Sequence, residues 1–397
     1  MLVRFRPFRA LVASQLRASF LLASLVATSV ALASCDSGSS TPNVDFAEFD
    51  ATVQSFLDSH SLSGATVIVV HRDHGVLHQR GFGAFDASRI SLLASASKVL
   101  SAGVLVRLAD QGLLDLDAPI STYLGPEYGP YKTDITVAQL LSNSAGMVGL
   151  TDNALYGPYV CQYLPIGFLV DCAGGIYTAD DTADRVPPDT KFRYGGGQWQ
   201  LAGGIAEAVT GKSWAELVDE TYVKPCGLKV LGYTNQYAQA FMNTGGVSGA
   251  LGYPSFFTGD LAQLMPTDNP NIEGGAYTDV GDYGKLLLMH LRGGRCGDRR
   301  VLSESGVARM QQDRIGQVYG GSTSLDPTLP GYGLGWWVSR DQPGFVADPG
   351  AYGATPWIDN DRGYAAMIIL EADSTLGAQL RMAAKPVLEA AIDAAGL

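Results

Sequence analysis

The stretch "SLLASASKVLSAGVLVRLADQG", residues 91–112, decides how the chain is read. Its apolar residues recur at helical spacing and Gly112 can stop it, so the pattern predicts a helix carrying Lys98 near its start. A cation among Ala, Ser, Val and Leu is costly to bury without a partner or a task. Three serines compete for its helix face: Ser95 three residues before, Ser101 three after and Ser91 seven before, while the adjacent Ser97 points elsewhere. A nucleophile gains from the first helical turn, where free N–H groups and the helix dipole stabilise negative charge. Ser95 meets that condition and can offer its own N–H to an oxyanion, whereas Ser101 sits mid-helix. Of the eight lysines, Lys98 alone has serine three residues before it. Burial is expected to lower its pKa and equip it to accept the serine proton.

Working outward, residues 43–61 place Phe46, Phe49, Val53, Phe56 and Leu57 on one helical stripe. "GATVIVVHRDHGVLHQRGFG" (64–83) reads as two strands around a turn at "RDHG". Helical patterns and Gly/Pro loops then dominate to about residue 260, clearest at 136–147 and 198–223. Strand signals return at "YGLGWWVS" (332–339) and in a hairpin over 355–373 turning at "NDRG". A closing helix over about 375–395 should bend or break at Pro386. The fold class is therefore α/β in the α+β sense: a mainly antiparallel sheet flanked by helices, with an inserted helical domain. Residues 44–115 and 270–397 form the sheet domain and 116–269 the insert, with a cleft between them as the natural site.

The first 34 residues stand apart. Arg4, Arg6, Arg9 and Arg17 come without an acid, and an apolar run from Phe20 to Ala33 follows, too short for a comfortable membrane span. This is a secretory signal pattern, and its end, "LASC" (32–35), resembles a bacterial lipobox with Cys35 as the lipidated residue. Residues 35–43 would be the tether, and the mature protein would sit in the cell envelope, touching membrane through its lipid alone. Four cysteines remain, an even number in an oxidising compartment. Cys161–Cys172 would close a short loop and leave Cys226–Cys296, although three connectivities exist. The 150–190 loop around Cys161 and Cys172 could wall the cleft. Net charge is −12, and removing the leader's arginines makes it −16, which repels nucleic acid.

No Gly-x-Ser-x-Gly elbow occurs, and the histidines at 60, 71, 74, 78 and 290 do not suit a Ser-His-Asp triad. His71, His74 and His78 fall on the first hairpin, a solvated face rather than a ligand set. No Cys/His spacing suggests zinc, and no cofactor is implied.

"ASASKVLSAGVLVRLADQGLLDLDAPISTYL" (94–124) resembles the first motif region of the class C β-lactamase-like serine hydrolases. That group also holds D,D-peptidases, D-aminopeptidases and carboxylesterases. "ITVAQLLSNSAGM" (135–147), "KFRYGGGQWQLAGGIAEAVTGKSWAEL" (191–217), "EGGAYTDVGDYGKLLLMHL" (273–291) and "YGLGWW" (332–337) resemble further segments in the same order. The resemblance implies an acyl-enzyme on Ser95, with Lys98 and Tyr194 sharing the proton. Tyr233-Thr234-Asn235 spells Tyr-x-Asn literally, but it follows a later segment, so Tyr194 is preferred. Asn143 stands where the family commonly has histidine.

Two motifs depart from the pattern. Gly196 replaces the asparagine of Tyr-x-Asn, removing an amide that would orient substrate. The third motif is reduced to "DPGAYGATPWID" (348–359), where Gly350 would let substrate approach and the Ala351 N–H would be the second oxyanion donor. Asp348, an acid where a cation is usual, should disfavour substrates with a carboxylate beside the scissile bond. The expectation is a hydrolase for a small-molecule or peptide-like ester or amide, neutral or amine-bearing. A silent envelope-binding protein and a true β-lactamase or D,D-carboxypeptidase are the alternatives.

Overall fold

The hairpin over 64–83 forms the first two strands of the main sheet, β1 (Gly64–His71) and β2 (Gly75–Gly83), in a computed structural model that describes residues 42–244 and 252–397. The leader and the Cys35 assignment lie outside the described residues. All eight residues of β1 are buried, because the strand is covered on both faces and its apolar run serves both. Alternation divides that run: Ile68 and Val70 join one core cluster, while Ala65, Val67 and Val69 join the other.

Five helices matter here besides the Lys98 helix. α1 (Ala47–His60) precedes β1, and α2 (Lys98–Asp110) carries the lysine. α3 (Leu169–Thr178) packs against α4 (Gly197–Thr210), and α5 (Gln236–Thr244) follows. α6 (Val280–Leu291) lies across β1.

The remaining strands come late: β3 (Gly331–Tyr332), β4 (Trp337–Val338), β5 (Phe345–Ala347), β6 (Ala354–Asp359) and β7 (Tyr364–Ile369). The sheet order is β2-β1-β7-β6-β5-β4-β3, antiparallel throughout. β1 pairs β7 from Thr66 opposite Ile369 to His71 opposite Tyr364. The run at 332–339 is not one strand. Gly333 N–H turns back to Trp336 O at 2.8 Å, and Leu334 N–H leaves the sheet for Met310 O at 2.9 Å.

The closing helix, α7 (Ser374–Ala394), runs through Pro386 without interruption. Its buried stripe, Leu380, Ala384, Leu388 and Ile392, packs in the core cluster that α1 feeds with Phe49, Val53 and Leu57. Tertiary packing therefore outweighs the hydrogen bond that proline removes. Residues 116–269 are not purely helical: Leu231–Tyr233 pairs with Ala276–Thr278, which also pairs with Ser91–Leu92. The disulfides are Cys161–Cys172 and Cys226–Cys296, with Cα atoms 5.7 and 5.0 Å apart.

Candidate active site

Ser95 lies in a tight 3₁₀ turn, Ala94–Ser97, that runs directly into α2. Ala94 takes a left-handed conformation, φ 47°, which a residue with a Cβ rarely adopts and which swings the chain from strand into turn. The Ser97 hydroxyl donates to Ala94 O at 2.6 Å and accepts from Ala276 N–H at 2.9 Å, tying the turn to its neighbouring strand. Ser95 precedes the turn's first closed bond, Ala96 N–H to Leu93 O. Its own N–H is thus spared, as at any helix start.

The four serines separate cleanly. Lys98 Nζ donates to Ser95 Oγ at 3.1 Å. Ser91 Oγ instead donates to Glu371 at 2.6 Å, and Ser101 Oγ donates to Ile272 O at 2.7 Å and meets Tyr233 Oη at 2.9 Å. Tyr233 also donates to Ser97 O, so the literal Tyr-x-Asn tyrosine holds the helix start to its neighbours. Asn235 of that tripeptide donates to Gln162 O, Leu164 O and Asn269 O, bracing the disulfide-closed segment.

Lys98 is fully buried and well supplied with acceptors. Besides Ser95 it donates to Glu273 O at 3.1 Å and has the Glu273 carboxylate at 3.1 Å, an ion pair rather than an aligned hydrogen bond. The Tyr194 ring stands 4.5 Å from Nζ. Burial works against the ammonium, but Tyr194, Glu273 and Asp348 outweigh it, so the lysine pKa rises above its ordinary value. This reverses the expected direction: desolvation is the largest single influence, yet the anionic surroundings win. Burial likewise pushes the Tyr194 phenol up, against the pull of Lys98 and its hydrogen bonds with Ser95 and Lys98.

Tyr194 is held by its neighbours rather than by a regular element. Leu150 N–H donates to its carbonyl at 2.6 Å, and its ring lies 5.5 Å from that of Trp337. Arg193 anchors the segment, donating to Asp152 at 2.6 Å and to Gly146 O at 3.0 Å.

Ser95 and Ala351 share a cavity of about 410 Å³, with Glu273 the ionisable acid in its lining. The Ala351 N–H has no hydrogen-bond partner among the described residues. Three other expected substrate contacts, Asp348, Gly350 and Asn143, lie outside this cavity lining. Asp348 is fully buried, and its Oδ2 accepts from Val99 N–H at 3.2 Å, inside the first turn of α2. Burial drives its pKa well up despite Lys98 and Val99. It therefore braces the Lys98 helix and does not face the cavity. Gly350 does serve a close approach, but of the protein's own backbone: a Cβ there would stand 2.1 Å from Leu93 O, beside the Ser95 turn. Asn143 is buried at φ 52°, and its side-chain oxygen accepts from Gln198 at 2.8 Å and Trp199 at 3.1 Å. It fastens the start of α4 below Tyr194.

Gly196 leads to two residues that sequence reasoning missed. A Cβ at 196 would lie 2.0 Å from Gln162 Oε1 and 2.2 Å from Glu273 Oε1, so these side chains fill the volume a larger residue would need. Gln162 is buried, and its Oε1 has no hydrogen-bond donor among the described residues. One signal for Glu273 was present: an acid set directly before Gly274-Gly275, ahead of a strand.

The chain resembles known proteins along most of its length. It is 27% identical over 315 residues to penicillin-binding protein 4 of Amycolatopsis lactamdurans, covering 74% of this chain and 75% of that one. It is 28% identical over 216 residues to esterase EstB of Burkholderia gladioli, 49% of this chain and 53% of the esterase. The crystal structure of a putative β-lactamase from Bacteroides dorei superposes with a TM-score of 0.67 at 25% identity, covering 87% of this chain and 99% of that one. Residues 49–388 match the model of the Beta-lactamase family. With its serine–lysine pair inside that span, the chain belongs to this family and is a serine hydrolase.

Proposed function

We propose that the protein is a carboxylesterase that works through an acyl-enzyme on Ser95, with Lys98 and Tyr194 handling the proton. One observation carries this reading: Ser95 Oγ, 3.1 Å from Lys98 Nζ, opens onto a cavity with largely apolar walls. The resting Lys98 is an ammonium and cannot accept a proton, so the working form has one proton fewer on the Lys98–Tyr194 pair. Ser95 passes its hydroxyl proton to that pair as the Oγ–acyl bond forms. The ester C–O bond breaks, and the departing alkoxide takes the proton. Water then attacks the acyl-serine by the same route, releasing the acid and restoring the Ser95 hydroxyl. The N–H groups of Ser95 and Ala351 are the donors assigned to the developing oxyanion.

Glu273, not Asp348, is the acid that substrate meets. A carboxylate beside the scissile bond, as β-lactams and D,D-peptides carry, would be set against it: among the described residues the cavity lining holds no cation, and the buried Lys98 ammonium is already paired with Glu273. This supports a neutral ester. Two disulfides support export, and the "LASC" sequence supports a lipid anchor at Cys35.

Labelling with a fluorophosphonate, compared with Ser95→Ala, tests the nucleophile. Labelling of wild type alone is expected; equal labelling of both overturns the nucleophile assignment, and labelling of neither favours a binding protein. Turnover of p-nitrophenyl butyrate should exceed that of nitrocefin, and the reverse order would reject the ester preference.

A further inference from the structure

Leu155, Val160, Leu164, Phe241 and Met242 wall the cavity over Ser95, and yet they are 47%, 41%, 36%, 43% and 67% exposed. They come from three places: the loop after Leu150, the segment beside Cys161, and α5. On α5 the cavity-facing residues are Tyr237, Ala238, Phe241 and Met242, four apart in two pairs, so one helix face is turned to the opening. Large apolar side chains grouped at a surface cost solubility and mark a binding site when they adjoin a pocket. The charge distribution matches this polarity: Glu273 and Ser95 lie together in the lining, while the five exposed rim residues are all apolar.

We propose that this rim and cavity together seat the acyl chain of a long-chain aliphatic ester, with the carbonyl at Ser95 and the chain running out past Phe241 and Met242. The proposal rests on the esterase reading and specifies its substrate. Continuity decides the occupant, since the exposed apolar surface and the nucleophile line one cavity. At about 410 Å³ that cavity has the size of a small-molecule site, too narrow for a folded partner. A second copy of the chain covering the rim would shut substrate out of its own nucleophile.

The test is kcat/KM for p-nitrophenyl acetate, butyrate, octanoate and decanoate, all below their aggregation limits. Each added methylene that finds apolar wall should raise kcat/KM by up to about fourfold. A decanoate-to-butyrate ratio of at least about tenfold is expected. Phe241→Ser with Met242→Ser should cut that ratio about tenfold, and Leu155→Ser, on a separate segment, should move it the same way. A ratio that is flat, or that survives both variants, overturns the proposal. So does a variant ratio that falls because an oligomer dissociates, read by sedimentation, since the rim would then be an interface between copies. Butyrate turnover with Ser95 labelling but no chain-length effect rejects the long-chain substrate and leaves the esterase standing. Loss of labelling removes both.

Discussion

Glu273 meets Lys98 twice, its main-chain oxygen and its carboxylate each 3.1 Å from Nζ. The lysine of the proposed proton-handling pair is thus held in its charged form by a residue 175 positions away. Asp348 and Tyr194 act in the same direction from two other segments, against the burial that disfavours the charge. Removing the negative charge at 273 makes the ammonium less favourable and any phenolate at Tyr194 more favourable. Whichever group carries the working base, its titration then moves down. Glu273→Gln is expected to shift the rising limb of the pH–kcat/KM profile about 1–3 units toward acid, the range for loss of an opposite charge in contact. A profile unchanged in position, with lower activity throughout, would mean that Glu273 merely fills space.

Tyr194 and Tyr233 make opposite predictions. Tyr194→Phe keeps the ring beside Lys98 and Trp337 but removes the hydroxyl that interacts with Ser95 and Lys98. Its kcat should fall about 10²–10⁴-fold with Tm little changed, as for loss of a proton-transfer group. Tyr233→Phe removes hydrogen bonds to Ser101 and Ser97 and should cost about 1 kcal/mol of stability with a small rate effect. Parallel rate and thermal-denaturation measurements decide between them.

These residues also show how far the sequence could be read. Ser95 and Lys98 are legible because a helix start puts positions three apart on one face, and the main sheet because β1 is a run of apolar residues. Position 194 stands out through its place in an ordered series of segments, since an isolated tyrosine says little. The orientations of Asp348 and Asn143 are not legible, because residue type does not reveal which way a buried polar group turns. Asp348 turns toward Val99 N–H, and Asn143 toward Gln198 and Trp199. Gln162 carries no local pattern, Glu273 only its place before Gly274-Gly275, and the two meet at Gly196 through long-range packing.

Two glycines near the site should respond differently to alanine. At 196 the new methyl meets the ends of the Gln162 and Glu273 side chains, which can swing aside. At 350 it meets the main-chain oxygen of Leu93 at 2.1 Å, which cannot move without dragging the Ser95 turn. Gly196→Ala is expected to change kcat/KM while costing under about 1 kcal/mol, and Gly350→Ala to cost about 1–3 kcal/mol, the range for overpacking. Denaturant unfolding of the two variants checks the order, and equal losses would contradict it.

The Cys161–Cys172 bridge closes the segment that supplies Tyr163 and Leu164 to the cavity, directly after Val160, and Gln162 to the space beside Gly196. The Cys226–Cys296 bridge joins residues 70 apart and lines a different depression, with Pro225 and Leu288. Loop-closure entropy assigns the longer bridge the larger stabilisation, about 4 kcal/mol against about 3 for the shorter. Function should rank them the other way. Asn235 and Asn271 hold the Gln162 carbonyl at 2.9 Å, so the segment keeps some of its course without the sulfur bridge, but its apolar wall loosens. Cys161→Ser with Cys172→Ser should therefore raise KM for apolar esters several-fold at nearly constant kcat. Cys226→Ser with Cys296→Ser should lower Tm further and leave KM near wild type. If both pairs raise KM equally, the shorter bridge has no special hold on the site.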